Sequence, residues 1–248
     1  MHYVQQDQPE GVPPLELTGE RTLPDVPEEN YWYQRHVAVY EWIADRCAGL
    51  RVVDLASGEG YGSELLARSA AEVVGVDANP EAYEHARLRY RRPNLRFERG
   101  LVEDYDRPCD AVVFLQTIEH IRDPGRLLER IAAIAPLAYI STPNRLTLAS
   151  PGAEKSENPW HLREYDPGQY RELLEPHFGE VTLLGLFHAR KLRAHELAIR
   201  AGWDRVHPAL RLTKPFYDRF IPAISSRDFR LGPDGLDRAL DFIAICRR

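Results

Sequence analysis

The fold is decided by the stretch Asp54-Leu-Ala-Ser-Gly58-Glu-Gly60-Tyr-Gly62 of a 248-residue chain. It joins a short apolar run at residues 51–56, which is predicted to be a buried strand, to a predicted helix at residues 59–69. Glycines at such a junction let the backbone turn sharply and approach a ligand where a Cβ atom would collide. The stretch therefore predicts a strand, a ligand-binding turn and a helix in succession.

Strands and helices alternate on both sides of this stretch. The spacing of apolar residues predicts helices over residues 31–47 and 124–135, and a helix that Asn79 caps and Pro80 begins. Apolar runs predict further strands at residues 73–77, 95–99, 110–115 and 138–142. A helix at residues 167–177 and two later strands, 180–187 and 240–246, complete the pattern. Such alternation indicates a parallel sheet with helices on both faces.

The chain is predicted to be one domain, residues 31–248, preceded by an arm. Residues 1–30 are rich in proline and glutamate and show little periodicity, so we expect an arm with no core of its own. About fifty residues, 189–238, separate the last two predicted strands. An insertion of that length in a compact domain usually covers a site or mediates assembly. We therefore expect a lid or an assembly element there.

Composition excludes several classes of protein. The chain has 32 basic and 38 acidic residues, a net charge of -6, so we expect no nucleic-acid partner. It contains no apolar run near the roughly 20 residues that a membrane helix needs, and its start shows no secretory signal. Cys47, Cys109 and Cys246 lie far apart, which indicates reduced core thiols. These features predict a cytoplasmic protein that does not bind membranes.

A carboxylate at the end of the second predicted strand completes a nucleotide-binding pattern. Asp77 lies seventeen residues after the second glycine of the loop, where it would accept hydrogen bonds from both hydroxyls of a ribose. An NAD-binding fingerprint, Gly-x-Gly-x-x-Gly, needs a glycine at the position of Ser63, whereas the third glycine here is Gly62. The spacing instead fits acid-x-Gly-x-Gly-x-Gly, with Asp54 as the acid and Ala56 in the first glycine place.

With this pattern, the chain resembles the class I methyltransferases that use S-adenosylmethionine (SAM), and residues 52–67, 73–77 and 110–145 carry the resemblance. It implies a Rossmann-like α/β fold with a seven-stranded, mostly parallel sheet, an antiparallel last strand and helices on both faces. It also implies that Asp77 holds the ribose of SAM, that the loop around Ala56 holds the methionine part and that Gln116 lies beside the sulfonium. The cofactor-binding candidates are Arg35, Asp54, Ala56, Ser57, Gly58, Gly60, Tyr61, Asp77, Ala78, Leu101, Val102 and Gln116.

Three of these candidates raise particular expectations. Arg35, on the first predicted helix, is placed to meet the carboxylate of SAM. Asp54 is expected to orient the loop and the amino-acid end of SAM. Family members often carry an acidic residue that faces the adenine amino group, but this chain has Leu101 there. Glu103 or backbone groups would then substitute for the missing acid.

A second motif follows the fourth predicted strand. Gln116-Thr-Ile-Glu119-His120 resembles the Glu-x-x-Glu-His motif of metal-dependent methyltransferases, which include small-RNA terminal 2′-O-methyltransferases and ubiquinone-type O-methyltransferases. In those enzymes a second histidine comes from the segment after the fifth strand, where this chain has His161. The resemblance implies that Glu119, His120 and His161 bind Mg²⁺ or another divalent cation. Gln116 replaces a second carboxylate, which lowers the expected affinity.

Three interpretations of Glu119 and His120 stay open at this point. Methyl transfer is an in-line displacement, and a neutral hydroxyl is a poor nucleophile for it. In the first interpretation, a cation held by these residues and His161 lowers the pKa of the hydroxyl, and a nearby histidine accepts its proton, so all three are catalytic. In the second, His120 is a general base that works without a metal. In the third, Glu119 and His120 only begin a helix.

A narrower resemblance covers nearly the whole chain and suggests the acceptor. It rests on the segments Leu17-Thr-Gly-Glu-Arg-Thr-Leu-Pro24, Glu29-Asn-Tyr-Trp-Tyr-Gln-Arg-His36, Ser141-Thr-Pro-Asn-Arg145, Asn158-Pro-Trp-His161 and Gly185-Leu-Phe-His188. These are similar to actinobacterial methyltransferases associated with the 6-O-methylglucose lipopolysaccharide. The resemblance implies methylation of a hydroxyl on a glucose-type or glucan acceptor. Aromatic platforms for a sugar would come from Trp32, Trp160, Tyr165 and Trp203.

Other functions stay open beside this one. Within the same class, a small phenolic or quinone-like acceptor is the second choice, and RNA is third because the acidic balance offers little electrostatic attraction. From other classes, the chain would be an NAD-linked oxidoreductase or a SAM-binding protein without turnover. The sequence leaves the oligomeric state open.

Overall fold

An eight-stranded sheet lies at the centre of the computed structural model, which describes residues 4–6, 8–18, 21–150, 152–203, 206 and 213–248. The strands are β1 (Arg51–Leu55), β2 (Glu72–Asp77), β3 (Leu95–Arg99), β4 (Ala111–Phe114), β5 (Leu137–Pro143), β6 (Glu180–His188), β7 (Phe229–Gly232) and β8 (Asp241–Arg247). Their order across the sheet is β3-β2-β1-β4-β5-β8-β6-β7. The first five strands pair in parallel, whereas β8 pairs antiparallel with both β5 and β6.

Some of the described helices begin at a side-chain cap, including the predicted cap Asn79. They are α1 (Asn30–Ala44), α2 (Tyr61–Leu66), α3 (Pro80–Arg89), α4 (Pro124–Ile134), α5 (Arg145–Leu148), α6 (Pro167–Leu174), α7 (Arg190–Arg200) and α8 (Thr213–Phe220). The Asn79 side chain accepts hydrogen bonds from two backbone N–H groups at the start of α3. Asp123 and Asp166 cap α4 and α6 in the same manner. Each cap satisfies donors that the first turn of a helix leaves unpaired.

Apolar side chains cover both faces of the sheet. All four residues of β4 are buried, and alternate residues of the central strands belong to two separate hydrophobic clusters. One cluster includes Leu127 of α4 and Leu174 of α6, and the other includes Ile43 of α1 and Leu66 of α2. Helices therefore pack on both faces, as predicted for a largely parallel sheet.

The predicted count of seven strands was one too low. The additional strand, β7, lies within the predicted insertion and pairs antiparallel with the end of β6, with His188 opposite Phe229 and Gly185 opposite Gly232. It has only four residues, so its alternation of apolar and charged side chains is too short to stand out in the sequence. The sheet is mostly parallel at one end and antiparallel at the other.

The arm has a small core, contrary to the expectation from its composition. Leu15, Leu23 and Val26 are buried in one hydrophobic cluster, and Val12 is buried as well. Their irregular spacing among prolines gave no periodic signal, which is why the sequence did not reveal them. Residues 1–3, 7, 19 and 20 of the arm lie outside the described residues.

The described part of the insertion contains α7, α8 and β7, while residues 204–205 and 207–212 lie outside the description. The Asn30 side chain at the start of α1 donates to the carbonyls of Ile221 and Ile224, which ties the insertion to the domain. Within the described ranges, no helix is long and apolar enough to cross a membrane. Cys47, Cys109 and Cys246 are buried free thiols, as predicted.

Candidate active site

The carboxyl ends of β1, β2, β4 and β5 meet at one edge of the sheet because these strands are parallel. β8 begins and β6 ends at the same edge, since β8 is antiparallel to both of its neighbours. Open α/β sheets bind ligands in the crevice outside this edge. The predicted glycine loop, Asp77, Gln116, Glu119 and His120 all follow or end strands here.

Two non-glycine residues at this edge have left-handed backbone conformations. Ala56, directly after β1, has a φ of 58°, and Gln116, after β4, has a φ of 50°. Each such residue costs roughly 1 to 3 kcal/mol, and such residues cluster at active sites. Because β1 and β4 are neighbours, the two strained turns lie side by side at the centre of the edge. This supports a binding site at that point.

Two glycines let the loop and the start of α2 pack against other helices. A Cβ atom on Gly60, whose φ is 101°, would lie 2.8 Å from the Cβ of Ala86 in α3. A Cβ atom on Gly62 would lie 2.1 Å from the ring of Tyr40 in α1. Neither position has room for a side chain, so the close packing of the loop depends on glycine at both.

Asp77 lies at the end of β2 with its carboxylate against the loop. Its Oδ2 accepts a hydrogen bond from the backbone N–H of Gly58 at 2.7 Å, and its Oδ1 accepts one from Asn79 at 2.8 Å. The residue is partly exposed. A carboxylate offers about four acceptor positions, so Asp77 keeps capacity for ribose hydroxyls. This geometry is compatible with the predicted role.

Asp54 has a different environment from Asp77. It is fully buried and accepts hydrogen bonds from Ser63 Oγ at 2.6 Å and from Tyr40 OH at 3.2 Å. Burial raises its pKa to about 7, although the two hydrogen bonds favour the charged form. Asp54 thus joins α1 to α2 from behind the loop, where it orients the backbone.

The remaining cofactor-binding candidates lie along the same edge. After β3, the Leu101 side chain is 55% exposed, and Val102 beside it is buried. The exposed Leu101 offers an apolar surface for adenine one strand away from Asp77, and Glu103 is exposed next to it. Ser57 lies in the loop and is buried. Tyr61 begins α2 and is partly buried, and Ala78 follows β2 and is exposed.

Arg35 forms a buried ion pair with Asp241. Its guanidinium donates to both carboxylate oxygens of Asp241, at 2.6 and 2.5 Å, and to the carbonyl of Leu240 at 2.9 Å. Arg35 is 5% exposed and Asp241 is 1% exposed. The charge of Arg35 is therefore already balanced between α1 and β8, which argues against the expected contact with the carboxylate of SAM.

Glu119, His120 and His161 come together as the sequence suggested. One ligand atom of each lies within 4.8 Å of the other two, and the imidazole centroids are 5.0 Å apart. Glu119 and His120 lie in a 3-10 turn, Ile118–His120, and His161 comes from the segment between α5 and α6. The backbone N–H groups of Leu162 and Arg163 donate to the Glu119 carbonyl at 2.9 and 3.2 Å, which fastens the two segments together.

Hydrogen bonds fix the orientation of both imidazoles. His120 Nδ1 lies 2.8 Å from the Trp160 carbonyl, and His161 Nδ1 lies 2.6 Å from a carboxylate oxygen of Glu164. Both partners accept, so we assign a proton to each Nδ1, which leaves each Nε2 as the nitrogen with a lone pair. The side-chain amide of Asn158 donates to His161 Nε2 at 3.0 Å, a contact that a bound cation would replace. Metal-binding histidines are commonly oriented by this kind of Nδ1 contact.

Glu119 completes the cluster from a buried position. It is 1% exposed, and it accepts a hydrogen bond from Thr142 Oγ1 of β5 at 3.1 Å. Burial raises its pKa to about 8. Gln116, which replaces the second carboxylate of the motif, donates through its side-chain amide to Ser141 Oγ at 3.0 Å. The cluster thus offers two imidazoles and one carboxylate.

The sequence matches a family model described as a methyltransferase domain over residues 31–197, which is more than half of the chain. It is also 37% identical to a probable S-adenosylmethionine-dependent methyltransferase of Mycolicibacterium smegmatis, with 94% of this chain and 95% of that protein covered. The chain belongs to the SAM-dependent methyltransferases.

Two further comparisons describe the relatives of this methyltransferase. It is 29% identical over 144 residues to the ubiquinone biosynthesis O-methyltransferase of Xylella fastidiosa. This match covers 52% of this chain and 56% of the Xylella protein. A solved structure from Thermotoga maritima, described as a SAM-dependent methyltransferase and possible histamine N-methyltransferase, matches with a TM-score of 0.59. That match has 17% identity over 90% of this chain and 95% of the other, so it shows the fold alone.

Sequence reasoning did not predict several contacts that support the site of this methyltransferase: it gave no role to Glu164 or Thr142, and it assigned Trp160 only as an aromatic platform. Glu164 orients His161 and is itself held by the backbone N–H and the hydroxyl of Ser156. Thr142 donates to Glu119, and the Trp160 carbonyl accepts from His120. One signal was available for Glu164, which is a carboxylate three residues after a candidate ligand. The contacts of Thr142 and Trp160 depend on tertiary structure.

Proposed function

We propose that this methyltransferase transfers a methyl group from SAM to a sugar hydroxyl, assisted by a divalent cation bound by Glu119, His120 and His161. The observation that carries the proposal is the convergence of these three side chains at the sheet edge that also holds Asp77 and the glycine loop. The cofactor and the reacting hydroxyl would then meet above β4, where the strained Gln116 lies between the two halves of the site.

The cofactor half fits SAM in shape and in charge. Asp77 has acceptor capacity for the ribose, Leu101 provides an apolar surface for adenine, and the Ala56–Gly60 turn brings backbone close to the methionine part. When bound, SAM supplies a methyl group on a sulfonium, and an acceptor oxygen takes it as the hydroxyl proton leaves. The task of the protein is to align the oxygen and to receive that proton.

The donor atoms of the second half suit a divalent transition ion. Imidazole nitrogens favour ions such as Zn²⁺, Fe²⁺ and Ni²⁺, whereas carboxylates favour Mg²⁺ and Mn²⁺, so a mixed set of two imidazoles and one carboxylate is compatible with several divalent ions, Mn²⁺ and Fe²⁺ among them. When bound, such an ion supplies positive charge that lowers the pKa of a hydroxyl beside it. Glu119 balances that charge, and Glu164 holds His161 in the required orientation.

Two exposed tryptophans support a sugar as the acceptor. Trp160 is 47% exposed and its carbonyl holds His120, so its indole belongs to the segment that builds the cluster. Trp32, at the start of α1, is 40% exposed. The other predicted platforms fit the role less well, because Tyr165 is buried in the core and Trp203 packs edge-on against Phe216. Exposed aromatic faces beside polar groups are typical of sites that bind partly apolar, partly hydrated ligands.

A transfer assay tests the proposal. The protein receives methyl-labelled SAM and α-1,4-gluco-oligosaccharides in the presence of Mn²⁺, Mg²⁺ or a chelator. We expect label on the sugar, loss of nearly all transfer with the chelator or in His161→Ala, and restoration of the wild type by added ion. His177→Ala is the matched control because His177 is a partly exposed histidine that follows α6, and it should transfer label as the wild type does.

Each contrary result rejects a particular part of the proposal. Transfer that survives complete metal removal would exclude the cation and leave His120 as the general base, which His120→Ala then tests. Absence of label on the glucan, with SAM binding intact by calorimetry, would reject the sugar acceptor. Small phenols such as catechols would then be the acceptors to assay, with RNA after them.

A further inference from the structure

Glu59, the central residue of the glycine loop, is buried and its carboxylate faces the arm side of the domain. It is 1% exposed. Its Oε2 accepts hydrogen bonds from the hydroxyl of Tyr90 at 2.7 Å and from the backbone N–H of Tyr61 at 3.2 Å. A buried carboxylate is stable only when several donors surround it. The other oxygen, Oε1, finds those donors on α3 and on the arm.

The arm supplies one donor to Oε1 directly. The side-chain amide of Gln5 donates to Glu59 Oε1 at 3.1 Å and to the Pro24 carbonyl at 3.2 Å. Gln5 is itself 4% exposed, and it exchanges hydrogen bonds with the backbone of Leu15 through its own backbone N–H and its side-chain oxygen. Gln5 therefore connects two distant parts of the arm to the loop.

The arm also contacts two basic side chains that face Glu59. His85 of α3 is fully buried, with Nε2 2.8 Å from Glu59 Oε1 and Nδ1 2.7 Å from the Pro13 carbonyl of the arm. The His85 ring therefore connects the Glu59 carboxylate to the backbone of the arm. Arg89 lies 3.1 Å from the same carboxylate oxygen and 2.6 Å from Asp25 of the arm.

The loop needs such support from outside. Ala56, Gly58 and Gly60 all have left-handed φ values, of 58°, 56° and 101°. The conformation is strained only at Ala56, and the two glycines leave the backbone free to adopt others, so the loop keeps its shape only when surrounding contacts determine it. Glu59 lies between Gly58, whose N–H binds Asp77, and Gly60, which packs on α3. Contacts to the Glu59 side chain therefore act on the part of the loop that would receive SAM.

We propose that the arm, in its described residues 4–6, 8–18 and 21–27, forms a strap that holds the SAM loop in its binding conformation through Glu59, with Gln5 as a positioning residue. The inference rests on the proposed placement of SAM against the Ala56–Gly60 turn and is independent of the acceptor and of the cation. Docking of the strap and binding of SAM then favour each other by the same factor, because coupling between two sites is reciprocal.

Calorimetry with SAM tests the strap in the full chain. Gln5→Ala should weaken SAM binding roughly 5- to 10-fold, because Glu59 loses one of its hydrogen bonds and only part of that loss is transmitted through the loop to SAM. The turnover number at saturating SAM should change less than about twofold, because Gln5 lies outside the proposed catalytic groups. Gln6→Ala is the matched control, since Gln6 is an exposed glutamine at the next position, and its SAM affinity should equal that of the wild type.

A double-mutant cycle assigns the effect to Glu59. In a Glu59→Gln background, Gln5→Ala should cause a clearly smaller further loss of SAM affinity than in the wild type. Equal losses in both backgrounds, or a Gln5→Ala protein that binds SAM like Gln6→Ala, would overturn the proposal.

Limited proteolysis of the wild type with trypsin tests the strap without requiring that the Glu59 variant folds. Arg21 is the only lysine or arginine in residues 1–27, so trypsin can cut the strap only there. Saturating SAM should slow that cut in the wild type by about the factor that Gln5→Ala loses in affinity, because cleavage follows the population of undocked strap. An unchanged cleavage rate would also overturn the proposal.

Asp77→Ala separates this inference from the placement of SAM. If Asp77→Ala abolishes SAM binding while Gln5→Ala leaves it unchanged, SAM lies where proposed and only the strap fails. If neither variant affects SAM affinity, the placement itself is wrong.

Discussion

Two aspartates beside the glycine loop show how the environment of a residue decides its use. Asp77 is partly exposed, and its carboxylate accepts from the backbone of the loop, so it can also face a ligand. Asp54 is fully buried, and its only described partners are the hydroxyls of Tyr40 and Ser63. Substitution of Asp77 should therefore change ligand affinity, whereas substitution of Asp54 should change the pH dependence of stability.

Asp77→Ala should weaken SAM binding by roughly 10- to 100-fold, as expected for the loss of hydrogen bonds to a charged acceptor. Part of the loss comes from the Gly58 N–H, which loses its partner in the loop. Isothermal calorimetry with SAM measures the effect. Asp106→Ala, which removes an exposed aspartate, is the control and should bind normally. Unchanged affinity in Asp77→Ala would remove Asp77 from the cofactor site.

Asp54 should make the wild type less stable as the pH rises. Its carboxyl releases a proton near pH 3.8 in the unfolded chain but near pH 7 in the folded one. Between these values the folded state binds more protons than the unfolded state, so the free energy of unfolding falls as the pH increases. The difference between the two pKa values corresponds to at most about 4 kcal/mol.

Urea unfolding of Asp54→Asn measures this contribution. The variant cannot ionise at position 54, so its stability relative to the wild type should rise between about pH 4 and about pH 7. Asp106→Asn should follow the wild type at every pH, because its side chain is exposed. Parallel pH profiles for Asp54→Asn and the wild type would show that Asp54 stays charged when buried.

Single residues of the site were predictable where a motif lies within one segment. The loop, Asp77 and the Glu119–His120 pair each follow a predicted strand, and parallel strands bring such ends to one edge. The pairing of Arg35 was not predictable, because its partner, Asp241, lies 206 positions away in the sequence. No local pattern reveals a pair of that separation, and a lone arginine on a helix gives no sign of what balances its charge.

Among the elements, α1 and β8 are joined by a buried ion pair that decides how α1 lies on the sheet. Arg35 contacts both carboxylate oxygens of Asp241, and the two side chains are only 6% and 2% exposed. Asp241 begins β8 at the same edge as the site. Removing one partner of a buried pair leaves the other charge uncompensated, which costs far more than the loss of an exposed pair.

Arg35→Met should therefore destabilise the fold by about 3 to 5 kcal/mol, and Arg35→Met/Asp241→Asn should recover much of that loss. Arg51→Met is the control. Arg51 also contacts both oxygens of an aspartate, Asp110, but the two side chains are 55% and 38% exposed, so its substitution should change the stability far less than that of Arg35. Urea unfolding gives both values. A stable Arg35→Met protein with weakened SAM binding would instead restore Arg35 to the cofactor site.

Most strands and helices were predicted from the sequence, but the edge strand β7 and the core of the arm were not. Runs such as Val52-Val53 and helix caps such as Asn79 are local signals, and the elements that the sequence predicted begin and end within about three residues of the expected positions, whereas α5, α7 and α8 had no predicted counterpart. β7 was not predicted because its four residues are too few to show a periodic pattern. The core of the arm was not predicted because Leu15, Leu23 and Val26 are spaced irregularly among prolines and give no periodic signal.

For the molecule as a whole, the proposed cation links folding to metal concentration. His120 and His161 come from segments about forty residues apart in sequence, and an ion that binds both stabilises the folded state but not the unfolded one. At an ion concentration about 100 times the dissociation constant, the gain is about 2.7 kcal/mol. For a chain of this size that gain raises the melting temperature by roughly 5 to 10 °C.

Thermal unfolding with and without Mn²⁺ measures this gain independently of catalysis. The wild type and His177→Ala should both show the increase in melting temperature, and a chelator should reverse it. His161→Ala should show no increase, because it lacks one of the three donor groups. An equal increase in His161→Ala would mean that the ion binds at a different place.

β7 has a consequence for how the protein behaves in concentrated solution. β6 is nine residues long, and from Gly185 to His188 its outer backbone groups pair with β7. β7 itself is only four residues long, and Pro233, which has no N–H, follows it. At the opposite margin, β3 carries the charged side chains of Arg96 and Glu98. Short or charged outer strands discourage other copies from adding to a sheet. The predicted insertion, residues 189–238, contains β7 and thus also protects the chain against aggregation. Deletion of β7 would leave the outer backbone groups of β6 unpaired, and strands of other copies would readily pair with them.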